Sequence, residues 1–130
     1  EITSLIDANF FISWGSFEEK MLADKIQVES DNVVVCNKQS IDELIFLISK
    51  SDLVIGSDTG PTHIAWALNI PSITLFGPTP GNRNTWETRI NKMIESDSKV
   101  DSFKINKNDF SIKNIQPKVI VKMAQELINK

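Results

Sequence analysis

Apolar and polar positions along the chain fall into two alternating kinds of segment. Short, wholly apolar runs end at Gly, Asn or Ser, and longer segments repeat apolar residues every three to four positions. The first kind includes NFFISWGS, with a strand at about residues 10–14, and VVVC at 33–36. It continues with LVIGS at 53–57 and SITLF at 72–76, the last closed by Gly77-Pro78. Runs of this length with β-branched residues and a turn residue behind them predict buried strands.

Between these runs lie helical segments. Ser16 stands three residues before Glu19 and Ser40 three before Glu43, the spacing of a capping box. Phe17, Met21, Leu22, Lys25 and Ile26 follow the first box with helical spacing, and Ile41, Leu44, Ile45, Leu47 and Ile48 the second. A shorter helix is predicted from about Pro61 to Leu68, with Ile64, Ala67 and Leu68 facing inward. A last helix starts near Pro117, with Val119, Ile120, Met123, Leu127 and Ile128 as its stripe. Wholly apolar strands that alternate with helices of about ten residues predict an α/β fold, a Rossmann-like parallel sheet with helices on both faces. Beyond Trp86 the chain is rich in Lys, Asn, Asp and Ser, with an edge strand predicted at 92–96.

Length and composition narrow the possibilities. A chain of 130 residues with 41% hydrophobic residues suits one domain. A net charge of −3 gives no basic footprint for nucleic acid, which is excluded as a partner. The single cysteine, Cys36, lies in an apolar run; it reads as a buried structural thiol and fits a cytoplasmic setting. The chain opens on Glu1, and Ile2, Leu5 and Ile6 already have helical spacing without a capping signal before them, which predicts a piece of a longer protein.

The candidate chemistry lies in SDLVIGSDTGPTHIAW, residues 51–66. Asp-Thr-Gly is also the triplet of aspartic proteases, but those need it in a turn between β-strands and need two such carboxylates. Here it ends a predicted strand and opens a predicted helix. The first amides of a helix lack internal partners and carry partial positive charge, and open α/β sheets bind ligands beyond the carboxyl ends of their strands. Gly60 allows a phosphate to approach the backbone, Thr59 and Thr62 offer hydroxyls, and His63, the sole histidine, can donate to a phosphate oxygen. The plainer alternative is that Asp58 and Thr59 cap the helix and His63 is a surface residue. Trp14 and Trp66 read as core.

Taken together, FFISWGSFEEKMLADKI and SDLVIGSDTGPTHIAWALNIPSITLFGPT resemble the C-terminal domain of the lipopolysaccharide heptosyltransferases, which are GT-B glycosyltransferases. A Trp-Gly step before a Glu-rich helix, Asp-Thr-Gly-x-x-His, an Ala-Leu turn with a Pro, and Gly-Pro-Thr occur in that order over about residues 9–86. The Trp-Gly step and Asp-Thr-Gly lean toward the heptosyltransferase I branch. The resemblance implies a single nucleotide-sugar-binding domain over 1–130, with the N-terminal acceptor domain absent and no catalytic base in this chain. Asp58, Thr59, Gly60 and His63 would hold the diphosphate and sugar end of ADP-heptose, Glu18 rather than Glu19 the ribose, and Gly77, Pro78 and Thr79 the loop beside the sugar. The segment Cys36-Asn37-Lys38-Gln39 would border the adenine, with Gln39 where the family carries a methionine.

The implied reaction is inverting transfer of heptose to Kdo-lipid A, with no obligatory metal or other cofactor, by a protein peripheral to the inner face of the inner membrane. A fragment of this kind would bind donor and not catalyse alone. A GT-B donor domain for another nucleotide sugar would share all three motifs. A non-catalytic phosphate-binding module would use the Asp58 turn alone.

Overall fold

The computed structural model describes residues 1–77, 87–97 and 110–129. The chain forms two compact units, Glu1–Phe46 and Leu47–Lys130.

In the first unit a one-turn helix α1 (Ile2–Leu5) leads to β1 (Phe10–Ile12), α2 (Phe17–Val28) and β2 (Val33–Val35). β1 and β2 are parallel, with Phe10 opposite Val33 and Ile12 opposite Val35. Both capping boxes form. Glu19 N–H donates to Ser16 Oγ at 3.2 Å while Glu19 Oε2 accepts from Ser16 N at 3.1 Å and Gly15 N at 2.7 Å. At α3 (Ile41–Ser49), Ser40 N–H donates to Glu43 Oε2 at 2.7 Å and Glu43 N–H to Ser40 Oγ at 3.3 Å. These backbone hydrogen bonds hold both carboxyls below the usual glutamate range.

The second unit contains β3 (Val54–Ser57), α4 (Gly60–Ala67), β4 (Ser72–Phe76), β5 (Asn91–Glu95), a 3₁₀ turn (Ser111–Asn114) and α5 (Pro117–Ile128). The three strands are parallel in the order β3-β4-β5. Ser72, Ile73 and Thr74 are all buried, and since successive side chains point to opposite faces, both faces of β4 are covered. Beside it on β5, opposite Ser72, Asn91, 3% exposed, donates from Nδ2 to the Ile70 carbonyl and to Ser72 Oγ, both at 2.9 Å, and accepts from Thr88 Oγ1 at 2.8 Å. Every polar atom of that buried amide is satisfied, so the network fixes the start of β4 against β5.

The predicted strands are all present, one to two residues shorter at 10–14, 33–36 and 53–57, and the edge strand is shifted one residue earlier. Among the described residues they pair as one two-stranded and one three-stranded parallel ladder.

Several predicted faces are corrected. On α4 the buried residues are Thr62 and Ala65; Ala67 and Leu68 face water, and Ile64 is half-buried. Gly56 on β3 explains this: a Cβ there would lie 3.1 Å from Thr62 Cγ2, so the helix sits too close to the strand for large side chains between them. Trp66 stands on the outer side, 47% exposed, and is not core. On α5 the buried stripe is Ile120, Val121, Ala124 and Leu127, while Val119 and Ile128 are exposed. On α2 Phe17, Met21, Leu22 and Ile26 are exposed, and Ala23 is the buried contact. Trp14 and Cys36 are half-buried rather than core.

Candidate functional site

The Asp58 turn is built by its neighbours. β3 ends at Ser57, and Thr59, in extended conformation, N-caps α4, whose first turn contains Pro61. Proline suits that place because its missing N–H would have no partner there. The Thr62 hydroxyl lies 2.9 Å from the Ser57 carbonyl and 2.8 Å from the Thr59 carbonyl, and Thr62 is buried. It ties strand end to helix start and keeps its hydroxyl inside the protein. Thr59 is exposed, its hydroxyl 3.4 Å from the Ser57 carbonyl, at the limit of hydrogen-bond reach.

The first hydrogen bond of the turn runs from His63 N–H to the Thr59 carbonyl at 3.3 Å, so the Gly60 amide precedes it. A Cβ at Gly60 would meet nothing within 4 Å, and its backbone conformation is not left-handed. Neither packing nor conformation therefore demands glycine there; what its absent side chain leaves is access to the backbone. His63 Nε2 lies 2.8 Å from Asp58 Oδ1, with the His63 side chain 47% exposed and that of Asp58 17%.

Gly77 lies at the same edge of the sheet. Ser57 is opposite Leu75 in the parallel register, so the residues after β3 and after β4 emerge together. A Cβ at Gly77 would come within 3.0 Å of Ile112 Cβ, and Gly77 is buried. Its carbonyl accepts from Ser96 Oγ at 3.2 Å, and Ser96 Oγ is 2.8 Å from Ser111 Oγ. Sequence reasoning missed Ser96 and Ser111. The predicted edge strand at 92–96 already put Ser96 at the carboxyl end of a strand, where open α/β sheets bind ligands; the register that brings it to this edge, with Phe76 opposite Glu95, is seen in the structure. Pro78 and Thr79 lie outside the described residues.

In the first unit the carboxyl ends of β1 and β2 are also tied together. Ser13 Oγ donates to Gln39 Oε1 at 2.8 Å and Trp14 Nε1 to the Cys36 carbonyl at 2.7 Å. Burial pushes the Cys36 thiol up, with a smaller opposing effect from Ser13, which disfavours the thiolate. Glu19 is committed to its capping box. Glu18 stands exposed beside it, and none of the box's hydrogen bonds involves its carboxylate. Among the described residues no group of three His, Cys, Asp or Glu could hold a metal ion, and no helix is long and apolar enough to cross a membrane.

Residues 3–113 match the profile of glycosyltransferase family 9 (heptosyltransferase). The chain belongs to this family. Lipopolysaccharide heptosyltransferase 1 of Campylobacter coli is 40% identical over 126 residues, 93% of this chain and 37% of that protein. The chain thus spans little more than a third of the length of that relative. The family fold is shared as well. Escherichia coli heptosyltransferase WaaC solved with ADP superposes with a TM-score of 0.77 at 19% identity, covering 97% of this chain and 38% of WaaC. WaaC solved with ADP-2-deoxy-2-fluoro heptose gives 0.73 at 20% identity, over 96% and 35%. The heptosyltransferase resemblance and the α/β class read from the sequence are both borne out.

Proposed function

We propose that this chain is the ADP-heptose-binding part of a lipopolysaccharide heptosyltransferase of the heptosyltransferase I type. The observation that carries the reading is the turn after β3. It combines a helix N-terminus, an open approach over Gly60 and the exposed ring of His63 at the carboxyl edge of parallel strands. Backbone amides and a histidine are the groups that accommodate a diphosphate, and in transfer they take up the negative charge that gathers on the leaving ADP. Fixed donors supply this without a metal, and the proposal requires none. Thr59 offers its hydroxyl to the same group, while Thr62 fixes the turn that presents it. Gly77, with Pro78 and Thr79 after it, borders the sugar.

The ribose falls to Glu18, because Glu19 is occupied by its own helix terminus, and Gln39 lies beside the adenine. Support for the donor also comes from the neighbours solved with ADP and with a fluorinated ADP-heptose. The acceptor, Kdo-lipid A, and the base that removes its proton fall to an N-terminal domain of the complete enzyme. That enzyme would work in the cytoplasm, peripheral to the inner membrane.

Binding of ADP, UDP and GDP to the chain tests the reading by calorimetry. ADP is expected to bind best, with affinity falling as salt rises, and His63→Ala is expected to weaken it by ~1–2 kcal/mol. Equal binding of all three nucleotides would remove the adenine assignment, and an unchanged dissociation constant in the variant would return His63 to a surface role. Heptosyl transfer to Kdo-lipid A is expected from the complete enzyme and not from this chain alone.

A further inference from the structure

The Asp58–His63 pair carries an inference about how the turn works. The carboxylate is the better-buried partner and the imidazole reaches water, with Oδ1 and Nε2 2.8 Å apart. α4 packs against β3 and β4, and neither strand carries a charged side chain; within α4 His63 is the sole titratable residue. An exposed imidazole without such a partner turns about its side-chain bonds, whereas one nitrogen held by a carboxylate fixes both the ring's plane and the role of the other nitrogen. With Nε2–H given to Asp58, Nδ1 is the ring atom left to meet a ligand. In the doubly protonated ring it is a donor that suits a phosphate oxygen.

We propose that Asp58 is a positioning residue, acting on the nucleoside diphosphate through His63 rather than by touching it. A carboxylate in direct contact with a diphosphate would repel it, so holding the ring is the role that reconciles Asp58 with an anion site. This rests on the reading of the α4 turn as the diphosphate site.

The test is a double-mutant cycle on ADP affinity, run with proton NMR of the ring. Asp58→Ala and His63→Ala are each expected to weaken ADP about tenfold, the scale of one hydrogen bond to a charged group, and the double variant no more than His63→Ala alone. His63 is the sole histidine, so its ring N–H has no histidine competitor in the spectrum. That signal is expected to be visible in the parent protein, retained in Asp58→Asn, which keeps an acceptor oxygen, and lost to solvent exchange in Asp58→Ala. Multiplying losses in the double variant, or a ring signal indifferent to Asp58→Ala, would overturn the positioning role while leaving the diphosphate site standing. Failure of the parent protein to bind ADP would instead overturn the site, and the positioning role with it.

Discussion

Residues 1–46 and 47–130 are both built from parallel strands joined through a helix, yet they bury their apolar residues very differently. In the first unit Ile6, Ala23 and Val33 are the buried apolar side chains among the described residues, while Phe11, Phe17, Met21, Leu22 and Val28 lie in water. In the second Ile73, Phe76, Ile94, Ile120, Val121 and Leu127 close a core. The apolar spacing of α2 is as regular as that of α5, so spacing announces an apolar face without supplying its cover. A helix becomes a core element when a stripe of its side chains finds a packed surface, as α5 does.

The sharpest check of this contrast is a pair of phenylalanines. Phe76, 1% exposed, is expected to cost about 3–5 kcal/mol when replaced by alanine, through lost transfer energy and a residual cavity. Phe17, 70% exposed, is expected to cost under about 0.5 kcal/mol by the same change. Urea unfolding of both variants decides it, and equal losses would show that the first unit has a core after all.

Next in size is the end of α4. Asn69 adopts φ 58°, and the following Ile70 N–H returns to the Ala65 carbonyl at 2.9 Å. Asparagine tolerates this left-handed conformation; Asn69→Val is expected to destabilise by about 1–2 kcal/mol and Asn69→Gly to be near neutral, read from melting temperatures.

The smallest effects concern the two capping boxes. Ser16→Ala is expected to cost about 1 kcal/mol. Because backbone hydrogen bonds depress Glu19 and Glu43, their contribution is complete above the ordinary glutamate range. It is lost as pH falls through their lowered folded-state values. Acid titration followed by circular dichroism is expected to show a steeper loss of stability in the parent protein than in Glu19→Gln, whose amide does not titrate in this range. Parallel titrations would show that the carboxylate contributes nothing as an ion.

How much of this was legible in the sequence follows from the same contrast. Strands and caps are local, and Ser16, Glu19, Ser40 and Glu43 form the boxes that their spacing announced. The Asp58 turn was legible too, because a strand, Asp-Thr-Gly-Pro and an apolar helix leave few other arrangements. Buried faces are not local. Spacing points to Ile64, Ala67 and Leu68 as the inward face of α4, whereas the helix seats Thr62 against Gly56 and buries Thr62 and Ala65 instead. The commitment of His63 to Asp58 was not legible either; two residues five apart have no obligatory contact until the helix starts between them.

That close approach has a consequence for how the protein can vary. α4 is eight residues long, and Thr62, which seats it against Gly56, lies in the same first turn as Gly60 and His63. Gly56 is therefore the spacer that sets the height of Gly60 and His63 above the sheet, though it lies on a strand and needs no contact with any ligand. A single methyl group added at that spacer would lie 3.1 Å from Thr62 Cγ2, so Thr62, which ties the strand end to the helix start, would have to give by a few tenths of an ångström.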